Sequence, residues 1–149
     1  MPMWLMKSEP DELSIRDLAY KGEARWDGVR NYQARNFVRQ MHEGDLFFFY
    51  HSSCKEPGIA GIGKIIRTAY PDPTALDRQS HYFDPKASDE KNPWSAVDVA
   101  HVETFKHVIR LSQLKAQSAL SELALVQRAS RLSVMPVTDG QWRHILTLR

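Results

Sequence analysis

The run Leu46-Phe47-Phe48-Phe49-Tyr50 is apolar at every position. Side chains of a strand alternate between its two faces, so a strand of this composition has to be covered on both. It reads as a central strand with other structure layered on each side, and it ends in the polar groups Tyr50, His51 and Ser52. Met3 to Lys7 reads as a buried first strand, ended at Ser8-Glu9-Pro10 because a proline restricts the residue before it. Ile59 to Arg67 reads as another strand with Gly61 and Gly63 on one face. Those glycines suit sheet curvature, or the close approach of a chain segment or ligand. Ser95 to Phe105 alternates as a strand does, with His107 to Leu111 as its extension, and Arg131 to Val137 reads as a short strand.

Helices start where capping chemistry allows. Ser14-Ile15-Arg16-Asp17 and Thr138-Asp139-Gly140-Gln141 both have the capping-box pattern, the second ahead of an inward-facing Trp142, Ile145 and Leu146. Asn31 reads as the N-cap of a helix to about His42, since Ala34, Phe37, Val38 and Met41 recur on one helical stripe. Ser112 to Gln127 reads as short helical pieces. Tyr70 to Pro93 holds four of the eight prolines, so it reads as a long loop, either a surface excursion or a flap over a site. The sum is an α+β chain, residues 1–149 as one domain, with about five or six mixed strands in a curled, barrel-like sheet and short peripheral helices.

Composition narrows the chemistry. The net charge of +2 permits a nucleic-acid partner without demanding one. The single Cys54 excludes an internal disulfide and any multi-cysteine zinc site, and it suits a reducing, cytoplasmic setting. No apolar stretch approaches the ~20 residues of a membrane helix, so no membrane partner is expected. There is no GxSxG, HExxH, Walker or GxGxxG motif, and the histidines show no metal-ligand spacing. No catalytic residue, metal or cofactor is expected.

The stretch from Arg25 to Phe37 is the richest in binding chemistry. Asp27-Gly28 reads as a tight turn. Arg25, Arg30, Arg35 and Arg39 bring positive charge to a helix entrance, where free N–H groups already favour anions. A flat ring, Trp26 or Tyr32, beside amide donors and cations is what a nucleobase with its phosphate requires. The same residues also suit a core tryptophan beside an ordinary amphipathic helix with solvated arginines. Trp94 and Asp98 share one strand face with Ala96 and Ala100, which leaves space between them; Trp94 on the core and Asp98 paired with a cation is the plainer reading.

Four segments then carry a family resemblance. They are Trp4-Leu5-Met6-Lys7-Ser8-Glu9-Pro10, the run Trp26-Asp27-Gly28-Val29-Arg30-Asn31-Tyr32-Gln33-Ala34-Arg35-Asn36, Gly44-Asp45 with Phe49-Tyr50-His51-Ser52, and Gly58-Ile59-Ala60-Gly61. With Ala69 to Thr74 and Arg131 to Val134, they resemble the EVE domain over nearly the whole chain. That family belongs to the PUA-like superfamily, which includes the YTH readers of N6-methyladenosine. The resemblance implies a PUA-like pseudo-barrel, a pocket for a modified nucleobase, and no catalysis. Carried over by motif, Trp26 is an aromatic wall that stacks on the base, Asn31 and Tyr32 lie beside it, Lys7 and Ser8 border it, and Phe49, Tyr50, His51 and Ser52 form the adjoining wall. Ser8 and Asn31 would bond the base edge, and Lys7, Arg30 and Arg35 would engage phosphate. The partner would be DNA or RNA carrying a modified base, flipped out or single-stranded, because a paired edge cannot enter such a pocket. The alternative is a small nucleotide- or RNA-processing enzyme using His51 with Asp98.

Overall fold

A computed structural model describes residues 2–128 and 130–149. Six strands, β1 (Met3–Ser8), β2 (Glu23–Trp26), β3 (Leu46–His51), β4 (Gly58–Pro71), β5 (Ser95–Arg110) and β6 (Val134–Val137), form one open sheet in the order β2-β5-β4-β3-β1-β6. β1 and β3 run parallel, and every other neighbouring pair is antiparallel. The described residues also form four α-helices, α1 (Ile15–Lys21), α2 (Tyr32–Gln40), α3 (Leu111–Lys115) and α4 (Asp139–Leu146), and short 3-10 turns at Pro73–Leu76, Ser118–Leu120 and Ala124–Val126.

The aromatic run forms β3, and its residues divide by parity between two cores. Phe47 and Phe49 join Trp4, Met6, Trp26, Val97 and Val99 under α1 and α2. Phe48 and Tyr50 join Leu5, Ile59, Phe105 and Trp142 beside α3 and α4. Trp142 stacks on Phe48 with ring centres 3.8 Å apart. Both capping boxes form as their sequences require, at Ser14 and Thr138. The Asn31 carboxamide accepts the Ala34 amide at 2.9 Å and so starts α2. α2 packs on β6, one edge of the sheet, and also on β5, next to the other edge. A single helix reaches both only if the sheet curls around it, which is the pseudo-barrel geometry.

Several boundaries differ from the sequence expectations. β2 forms although its residues read only as the approach to a turn. β5 is continuous to Arg110, and four register shifts along its pairing with β4 bend the two long strands. β6 begins only at Val134, and Trp94 precedes β5 instead of sharing its face with Asp98. The strand glycines provide close approach as well as bending. A Cβ at Gly63 would lie 2.3 Å from the Phe47 ring, and one at Gly61 would lie 2.3 Å from the Glu103 carbonyl oxygen.

Candidate functional site

A cavity of about 630 Å³ opens where the ends of β1 and β3 face β2 and the turn that follows it. Lys7 and Ser8 come from the end of β1, Ser52 and Ser53 from just past β3, and Ala24 through Val29 from β2 and its turn. Lys21, Glu12, Tyr82, Arg131 and Ser133 close the remaining sides. The volume falls within the ~300–1,000 Å³ of small-ligand pockets.

Trp26 joins this cavity to the core. It lines the opening, yet its side chain is 5% exposed and its ring meets Phe47 and Phe49 edge-on, at 5.5 and 5.1 Å. The turn beside it depends on glycine. Gly28 has φ +77°, and a Cβ there would sit 2.5 Å from the Tyr82 ring. Tyr82 donates its hydroxyl hydrogen to Glu12, which also bonds His81 at 2.9 Å. The long Pro-rich loop is thus pinned across the turn and forms part of the cavity wall.

Arg30 does the pinning. Its guanidinium makes five hydrogen bonds: to Asp72 and the Val29 carbonyl at 2.9 Å, to the Thr74 hydroxyl at 3.1 Å, and twice to the Tyr82 carbonyl. Asp72 is fully buried and also accepts the amides of Gly28 and Thr74. Burial pushes its carboxyl up, but the bonds from Thr74, Gly28 and Arg30 outweigh that and hold it below 3.8.

The charge around the cavity is arranged so that cations remain free. Of the three carboxylates that line it, Asp27 is paired with Arg25 at 2.9 Å and Glu12 is engaged by Tyr82 and His81, while Glu9 has no ion pair among the described residues. Lys7, Lys21 and Arg131 make no ion pair among the described residues. Burial pulls the Lys7 amine below its ordinary value. An anion arriving there would regain some of the solvation that Lys7 has lost.

Of the residues expected at the site, the structure gathers Lys7, Ser8, Trp26 and Ser52 in one cavity. The Ser8 hydroxyl donates to the Leu13 carbonyl at 2.8 Å, which leaves its oxygen free to accept. Phe49 lies behind Trp26. Tyr50 turns to the opposite core, where burial pushes its phenol up to about 12. Arg30 and Arg35, expected on phosphate, are committed to the chain itself. Arg35 lies 4.9 Å over the Tyr32 ring and donates to the Pro93 carbonyl, and Tyr32 stacks on Trp94 at 4.8 Å. Trp94 is buried, with its indole N–H on Asp84 at 2.8 Å. Asn31 has its carboxamide on the helix cap and borders a separate groove with Arg131. Asp98 lines another small hollow, where it accepts the Tyr70 hydroxyl at 2.5 Å. His51 and Asp98 are not brought together, since His51 is level with Gly58 and Gly58 with Arg110, far along β5 from Asp98. Lys21, Tyr82, Arg131 and Ser133 were not singled out from sequence. Tyr82 lies in the loop read as a flap, and Arg131 and Ser133 lie in a segment that carries the family resemblance.

His51 has a local duty. Its Nε2 accepts the amide of Ile15, the first residue of α1, at 3.1 Å. Burial lowers its basicity below 6.5, partly offset by the charge of Asp17. The neutral ring is the one that accepts. Its contribution is therefore fully present above pH 6.5 and is lost as pH falls through the lowered value. His51→Gln is expected to flatten the stability loss as pH falls below 6.5, measured by thermal melts across the acid range.

Among the described residues no group of three His, Cys, Asp or Glu side chains could hold a metal ion, and no helix is long and apolar enough to cross a membrane.

A mixed sheet curled about one helix, with a cation-rimmed cavity at its strand ends, is a PUA-like pseudo-barrel. The chain belongs to the EVE family, whose domain model, the EVE domain, matches residues 2–148. It is 43% identical to human thymocyte nuclear protein 1, over 97% of this chain and 72% of that protein. The crystal structure of human THYN1 in complex with 5-methylcytosine-containing DNA superposes with a TM-score of 0.94 at 41% identity, covering 99% of this chain and 97% of that one. A crystal structure of a protein from Pseudomonas syringae superposes at 0.97 with 70% identity, covering 98% of each chain. The YTH domain of Zygosaccharomyces rouxii MRB1, at 11% identity and a TM-score of 0.56 over 99% of this chain and 85% of that one, shares the fold alone.

Proposed function

We propose that this chain is a single, non-enzymatic EVE module that binds DNA or RNA carrying a modified base. The base enters the cavity unpaired, flipped from a duplex or held in a single strand. The observation that carries this reading is one cavity of nucleotide-sized volume that meets an aromatic ring, Trp26, and a rim of unpaired cations. Trp26, buried but for the part that lines the cavity, offers the base that margin of its ring, Ser8 and Ser52 offer oxygen and hydroxyl groups, and Lys7, Lys21 and Arg131 take the flanking phosphates. Arg30, Phe49, His51 and Trp94 support the site from behind, and Tyr32 and Arg35 brace the loop that closes it. The human relative bound to 5-methylcytosine DNA makes 5-methylcytosine the first base to try. That relative is named a nuclear protein. For this chain the exposed, unpaired Cys54 supports a reducing, cytoplasmic setting.

The test is a binding screen of short DNA and RNA oligomers with and without modified cytosines and adenines. Binding is expected to weaken with salt, with a log–log slope of about −1 to −3. Lys7→Ala or Arg131→Ala should each reduce that slope by about one while leaving base preference intact. Binding that ignores salt would remove the phosphate contacts. Turnover of a modified nucleotide that disappears on changing His51 or Asp98 would establish an enzyme instead.

A further inference from the structure

β2 is an edge strand, paired on one side only, with β5. Along an antiparallel ladder, alternate residues exchange both backbone groups with the partner, and those between point both groups away. The His101 amide donates to the Gly22 carbonyl at 3.0 Å, and the register continues Ala24 with Val99 and Trp26 with Val97. Gly22, Ala24 and Trp26 therefore face β5, and Arg25 turns its own N–H and C=O to the free edge. No other backbone group takes up that pair among the described residues.

The free edge opens on the cavity. A cavity lying on a sheet face meets every second residue of a strand. This one meets Ala24, Arg25 and Trp26 in succession, and no residue of β5 or β4, the strands on the paired side of β2, is among its lining residues, so it lies at the free edge. An open sheet edge is a ready template for pairing, and here its flanking side chains, Glu23 and Arg25, discourage another strand.

We propose that the Arg25 N–H and C=O read the Watson–Crick edge of the unpaired base in the cavity. The proposal rests on the base-binding reading above and adds the group that selects the base. The N–H donates to a ring nitrogen, and the C=O accepts from the adjacent exocyclic amino group, an arrangement that cytosine and adenine supply. A methyl group on C5 of cytosine leaves that edge untouched, whereas one on N3 blocks it. Backbone groups fixed by a β-ladder are already oriented, so a base that cannot pair with them leaves them desolvated and unsatisfied.

The test titrates the full chain with single-stranded oligomers holding either 5-methylcytosine or 3-methylcytosine, alongside two variants. Arg25→Pro removes the N–H without taking a bond from the ladder, because Arg25 gives none to β5, and proline is tolerated at such an edge position. Arg25→Ala removes the side chain beyond Cβ, with its ion pair to Asp27, and leaves both backbone groups in place. The parent is expected to bind the 5-methyl oligomer roughly tenfold more tightly, consistent with one lost and one unsatisfied hydrogen bond. Arg25→Ala should keep that preference, and Arg25→Pro should lose it. Repulsion of the cationic 3-methyl base by the rim would survive in Arg25→Pro, so a preference retained there overturns the proposal. Equal binding of both oligomers by the parent also overturns it, and this arm decides the matter if Arg25→Pro melts early. A parent that binds neither oligomer overturns the base-binding reading itself, and this proposal with it.

Discussion

Trp26→Ala is expected to lower the stability of the chain by about 3–5 kcal/mol, the cost of truncating a buried tryptophan. The ring is 5% exposed and meets Phe47 and Phe49 edge-on, so truncation opens a void between β2 and the centre of the sheet. Neither neighbour can relax into it freely. Phe47 is held against Gly63, and Phe49 belongs to the doubly covered strand. A pocket wall standing clear of the core would lose far less. Loss of binding in Trp26→Ala is therefore no proof of stacking, because the fold is expected to suffer first. Trp26→Phe separates the two roles. It keeps an aromatic ring in the core and shrinks the surface offered to a base, and one base–aromatic stack is worth about 1–3 kcal/mol of binding. Denaturant melts and oligomer titrations on the same samples check both. A Trp26→Ala variant as stable as the parent would show that the ring contributes little to the core.

What could be read from the sequence follows from where its physics is local. The β3 run, the Asn31 cap and the two capping boxes are decided by residues a few positions apart, and each forms as its residues require. β2 could not be read in this way. Glu23-Ala24-Arg25-Trp26 is short and carries charge at alternate positions, as an edge strand does, and only its pairing with β5 makes it a strand. The arginines misled for a related reason. Spacing shows that Arg30 and Arg35 lie at a helix entrance, but it cannot show that a loop forty residues on supplies Asp72, Thr74 and Tyr82 to take four of the five hydrogen bonds of Arg30. Of the cavity's cations without an ion pair among the described residues, Lys21 lies in a segment with no motif of its own, and Arg131 lies in a segment whose family resemblance does not say where its side chain goes; topology brings both in.

That long-range clamp gives the second large effect. Asp72→Ala is expected to cost about 3 kcal/mol, the lower end for breaking a buried ion pair, since Arg30 keeps 22% of its side chain exposed and water can take part of the charge. The loss is more than one pair. The Gly28 and Thr74 amides also lose their acceptor, and only the Arg30 bonds to Thr74 and Tyr82 then tie the turn to the loop by hydrogen bonds. Acid should reproduce the effect in the parent. The folded carboxyl lies below 3.8, so its stabilisation is fully present above that value and is lost as pH falls through the lowered one. Asp72→Asn removes this titration and should flatten the acid limb of the stability curve below pH 3.8. Arg30→Lys provides the matching arm from the other side of the clamp, because an ammonium cannot reproduce a planar fork of five donors. If Tyr82 is held over Gly28 by this clamp, both variants should bind the modified oligomer more weakly even at temperatures where they remain folded. Retention of full affinity by folded Asp72→Ala would mean that the cavity wall formed by Tyr82 stands without the clamp and that the loop owes its place to the packing of Trp94 and Tyr32 instead.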